Sequence, residues 1–130
     1  EHASVGSFAR FTLQLLHVGA PAELVMEVQL AAADEVRHAR FCYGLASALG
    51  GVPIGPGPLA VADLPIGVEP RTIMRELIRE ACVAETLGAV EAVQNAASAH
   101  ESIRPQLTQI AEDELRHAAL VWRSLRWLIG

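Results

Sequence analysis

Asp34-Glu35-Val36-Arg37-His38 and Asp113-Glu114-Leu115-Arg116-His117 are one phrase written twice in a chain of 130 residues, each time inside a run that otherwise reads as an apolar helix. Glutamate and histidine three positions apart lie about 60° apart around a helix, so both side chains project from one face toward a common point. A single such pair is common; two on equivalent seams are a pattern. Shifting the sequence by 79 residues lays Glu35 on Glu114, His38 on His117 and Glu1 on Glu80. Each half then offers a lone glutamate followed 34 residues later by Glu-x-x-His.

Two residues at one level of an antiparallel helix pair are equidistant from the turn that joins the helices. The midpoint between Glu1 and Glu35/His38 falls in Val18-Gly19-Ala20-Pro21, and that between Glu80 and Glu114/His117 falls in the stretch from Asn95 to Ser102. Both are turn-like. The apolar register agrees: Leu24, Val28, Ala31, Glu35, His38, Cys42, Leu45 and Leu49 step by alternating fours and threes, as do Ile103, Leu107, Ile110, Glu114, His117, Val121, Ser124 and Leu128. Each Glu-x-x-His therefore occupies core-facing positions, where an uncompensated charge would cost several kcal/mol. A carboxylate–imidazole hydrogen-bond network would satisfy one pair. It leaves four carboxylates and two histidines crowded together, and a multivalent cation neutralises such a cluster.

The paired Glu-x-x-His with a further glutamate in each half resembles the ferritin-like di-iron carboxylate proteins over essentially the whole chain. The resemblance implies an all-α, ferritin-like four-helix bundle in which one glutamate from each of two helices joins Glu-x-x-His from the other two. Carried over position by position, it implies Glu1, Glu35, His38, Glu80, Glu114 and His117 as the six metal ligands, with Glu35 and Glu114 as bridges. Carboxylates with imidazoles suit two iron ions, with manganese as a substitute and zinc as an impostor.

Within that group, Asp-Glu-x-Arg-His in both repeats is closest to the di-iron oxidases and oxygenases. Their pattern implies that Asp113 fixes the His38 imidazole and Asp34 that of His117, with Arg37 and Arg116 holding the aspartates. The alternative is that these four are solvated flanking charges. Cys42, one turn beyond His38 on the seam, stands where related proteins carry a radical tyrosine or a cysteine; a small buried hydrophobe is the plainer reading, for Cys82 as well. Tyr43, the only tyrosine, points off that face. Helix 3 holds three glutamates. The seam Ile73, Leu77, Glu80, Ala84, Leu87, Glu91 favours Glu80, which leaves Glu85, rotated by about 140°, as a neighbour of the ligands or as an alternative ligand. Glu91 lies about 16 Å from Glu80 along the helix, too far to share its site. His2 faces another direction, and His17 and His100 sit near turns.

Punctuation sets the organisation. Helix 1 is expected to His17, helix 2 from about Pro21 to Leu49, helix 3 from about Arg71 to Ala97 and helix 4 from about Ser102 to Leu128. Residues 50–70, rich in glycine and proline, form a connector. Its length suits a crossover between parallel helices 2 and 3, since about twenty extended residues reach roughly 65 Å and the bundle is on the order of 40 Å long. Two antiparallel hairpins joined by that crossover make one domain over residues 1–130. Helix 2 continues eleven residues past His38 with nothing in helix 1 to cover them. The expectation is a domain excised from a longer protein, with helix 1 truncated at its start.

The net charge of −5 gives no basic footprint for nucleic acid. Two cysteines without a C-x-x-C pattern indicate neither a rubredoxin-type site nor a disulfide scaffold. No apolar run reaches a membrane span and no signal peptide is visible, so the expected location is cytoplasmic. Three functions compete. A di-iron oxidoreductase would use O2 or peroxide to oxidise an unknown small molecule, with a possible reductase partner. A ferroxidase or storage subunit would need a cage-forming surface. A non-catalytic bundle would keep vestigial ligands. The Asp-Glu-x-Arg-His repeat favours the first, and the substrate and oligomeric state are not readable.

Overall fold

In the computed structural model, which describes residues 1–62 and 64–130, every regular element is helical. Helix α1 spans His2–His17 and α2 spans Ala22–Gly50; α3 (Pro70–Glu76) runs without a break through a π-helical turn, Leu77–Cys82, into α4 (Val83–Ser98), and α5 spans Arg104–Ile129. The expected helices are therefore present, with ends displaced by no more than about two residues, the usual uncertainty of helix termini. No helix among the described residues is long and apolar enough to cross a membrane. The chain divides into two compact units, Glu1–Ile66 and Gly67–Gly130, each built on one helix hairpin.

In the first unit α1 ends in a Schellman motif. Gly19 takes φ +71°, a conformation that costs an L side chain energy, and the amides of Gly19 and Ala20 donate back to the carbonyls of Leu16 and Leu15 at 3.3 and 3.0 Å. Pro21 then stands immediately before α2, where its missing N–H is no loss. Phe8, Phe11 and Leu15 of α1 and Leu24, Val28 and Ala31 of α2 are the buried apolar residues on this side of the Glu-x-x-His. Gly51 ends α2 in the left-handed region. The connector is tied down where it leaves: Ser47 Oγ accepts from the Ile54 amide at 2.8 Å, and the His2 ring donates Nε2–H to the Gly57 carbonyl at 3.2 Å.

In the second unit the turn is centred on His100. Its carbonyl accepts from the amides of Ile103 and Arg104, its ring Nδ1 accepts from the Ser102 amide, and the Arg104 guanidinium donates to the Ala99 carbonyl at 2.7 Å. Both His17 and His100 are exposed, as their turn positions imply.

The expected seam of α5 holds from Ile110 to Ser124. That of the third helix does not. Glu80, Ala84, Leu87 and Glu91 are all exposed, while the buried side runs Ile73, Leu77, Cys82, Ala89 and Ala96. The cause is the π turn, whose wider coil replaces one three- or four-residue step with a step of five between Leu77 and Cys82. Everything after it is rephased. The α2 seam also stops early, since Cys42 is exposed where a buried cysteine is expected, whereas Cys82 is buried as expected.

Candidate metal centre

Each unit gathers two glutamates and one histidine. In the first, one carboxylate oxygen each of Glu1 and Glu35 and a ring nitrogen of His38 lie within 4.8 Å of one another. Glu35 and His38 are only 2% exposed, because they continue the same stripe of α2 that buries Leu24, Val28 and Ala31. Glu1 stands at the head of α1 and is the most open of the three. His38 turns Nδ1 toward its Oε2 at 3.5 Å. That imidazole, and then the neighbouring Glu35, hold the Glu1 carboxyl down at about 2 against the opposing effect of burial.

The second unit repeats the arrangement with Glu85, Glu114 and His117, again with one donor atom from each inside 4.8 Å. His117 directs Nδ1 at Glu85 Oε2, 3.8 Å away, and at Glu114 Oε1, 3.9 Å away. Glu85, not Glu80, is thus the third-helix glutamate that the structure brings to Glu114 and His117. The five-residue step puts Glu85 on the buried side, and its midpoint with Glu114/His117 falls at His100, the centre of the observed turn. Glu80 lies on the exposed face of the π turn.

These separations are informative. They exceed hydrogen-bond length. Two donors on one ion, each about 2.1 Å from it, stand about 3.0 Å apart at right angles and about 4.2 Å apart in line. Both histidines meet their glutamates inside that interval, and both do so through Nδ1. Two carboxylates and one imidazole per triad are groups that could hold a metal ion.

Of the four flanking charges, the two aspartates are out of solvent and the two arginines are in it. Asp34 and Asp113 are buried, and each accepts an ion pair from the arginine one turn later, Arg37 and Arg116, whose side chains reach out to solvent. Asp113 also accepts from Gln109 Nε2 at 2.9 Å. Cys42 lies near the first triad, where local desolvation and then the Glu1 carboxylate push its thiol pKa up and disfavour the nucleophilic thiolate. Tyr43 turns away from the triad and meets His2 edge-on, with ring centroids 6.3 Å apart.

Two contributors escape a reading of the sequence. Gly88 follows Glu85 by three residues, and a Cβ there would stand 3.7 Å from Glu114 Oε2. That is an ordinary van der Waals distance, so a methyl group fits there and only a larger side chain would crowd the carboxylate. Gln109 supports Asp113 but has Leu30 as its counterpart in the first repeat, so the repeat gives no signal for it.

Comparison with known proteins finds no match to a family model, a curated protein or a solved structure.

Proposed function

We propose that the two triads act together as one dinuclear metal site, with Glu35 and Glu114 as shared carboxylates, and that the chain is a di-iron oxidoreductase. The observation that carries this reading is the duplicated, largely buried triad in which histidine Nδ1 meets glutamate oxygens at 3.5–3.9 Å. One triad supplies three donors, fewer than an octahedral ion takes, and leaves two carboxylates repelling each other. Two triads with shared carboxylates would supply up to five donors to each ion and the charge to hold two divalent ions. A ferrous pair held there would supply two electrons to O2, giving an oxidant at the peroxide level for a substrate, and a reductase partner would return the two electrons.

The residues of the chain hold that pair in a defined state. With Nδ1 turned toward the glutamates, each imidazole has Nε2 left to donate, and buried Asp34 and Asp113 are the acceptors we assign to fix the tautomers. Arg37 holds Asp34 in place, and Arg116 and Gln109 hold Asp113. Aerobic oxidation of the ferrous protein with iron counting tests the function. An oxidoreductase consumes O2 while iron stays at two per chain; accumulation of a mineral of many irons per chain would show storage instead.

A further inference from the structure

Beside the first triad the same hairpin and the connector form a half-open groove of about 450 Å³, within the range of small-molecule sites. Val36 and Ala39, the residues next after Glu35 and His38, form one wall, and Ile54 of the connector forms another. The polar side chains are four, and two of them are committed. His2 donates to the Gly57 carbonyl, and Ser47 Oγ is bound to the backbone of Tyr43 and Ile54. Arg40 and the Tyr43 hydroxyl have no hydrogen-bond or ion-pair partner among the described residues. No carboxylate lines the groove.

The geometry points to a binding site for a small carboxylic acid with an apolar body. A guanidinium with no carboxylate facing it, standing at the edge of an otherwise apolar groove, selects an anionic head through paired N–H donors. The Tyr43 hydroxyl offers that head a further donor, and the walls at Val36, Ala39 and Ile54 take the hydrocarbon. A cation finds no counter-charge here, and a fully polar anion wastes the walls.

Calorimetric titration of the metal-free chain with octanoate tests this, with octanol and octylamine as neutral and cationic matches. Octanoate should bind at one equivalent, and the other two more weakly by about tenfold or more, the loss expected for a charge-assisted hydrogen bond. Arg40→Gln should lose a similar factor. Gly44→Leu should abolish binding by filling the groove; a Cβ at Gly44 meets nothing within 4 Å, so this variant should fold, and its melting curve checks that it does. Absence of octanoate binding would overturn the assignment, as would equal binding of octanol or octylamine, or undiminished binding by a folded Gly44→Leu or Arg40→Gln protein. Because no metal is present, this outcome is separate from that of the iron reading.

Discussion

Glu35 and His38 share one turn of α2, and Glu114 and His117 one turn of α5, so their convergence follows from helix geometry alone and is legible from spacing. Glu85 is different. Its place in the second triad depends on a five-residue step that no spacing rule anticipates, because a straight helix carries Glu80 onto the seam instead. Substitution separates the two. Glu85→Gln should weaken iron loading by more than about 100-fold, beyond the roughly 10–100-fold typical of residues that merely support a ligand, while Glu80→Gln should bind iron as the parent does. Loss of iron from Glu80→Gln with retention in Glu85→Gln would show the rephased seam to be misread. Gly88 allows a finer test. Gly88→Ala should be tolerated, since its Cβ makes an ordinary contact with Glu114 Oε2 at 3.7 Å, and should gain about 1 kcal/mol of helix stability. Gly88→Leu should crowd that carboxylate and lower metal affinity about tenfold or more at near-unchanged helix content.

At the scale of elements, the helices and both turns are marked by their punctuation: Gly19 before Pro21, Gly50-Gly51 after α2, and Pro70 and Pro105 at helix starts. The π turn has no such mark, since Leu77–Cys82 contains neither proline nor glycine. Its extra residue can be removed. Deleting Arg79, which is exposed, should return the segment to α-helical pitch while leaving Cys82 and Glu85 in phase with Leu77, because the five-residue step becomes one of four. The variant should keep its helicity by circular dichroism and keep its iron binding; loss of iron binding would show that the π geometry itself, and not only the phase it sets, holds the site. The Schellman end of α1 is a simpler case. Gly19→Ala forces an L side chain to φ +71° and should cost about 1–2 kcal/mol in denaturant unfolding.

For the whole molecule, the decisive feature is acidic charge placed inside. Glu35 and Glu114 are buried carboxylates on two different hairpins, and a chain of net charge −5 offers few cations to meet them. The metal-free protein should therefore melt below the loaded one, by the linkage of ligand binding to folding, which reaches about 2.7 kcal/mol at a hundredfold excess over Kd. Glu35→Ala and Glu114→Ala should each abolish that gain. The central claim is that two triads make one dinuclear centre, and anaerobic titration of the purified chain with ferrous iron tests it most directly. Binding should saturate at two equivalents, and if each carboxylate serves both ions, both equivalents should weaken in Glu35→Ala and in Glu114→Ala. Saturation at one equivalent, or loss of only one equivalent in each variant, would contradict it.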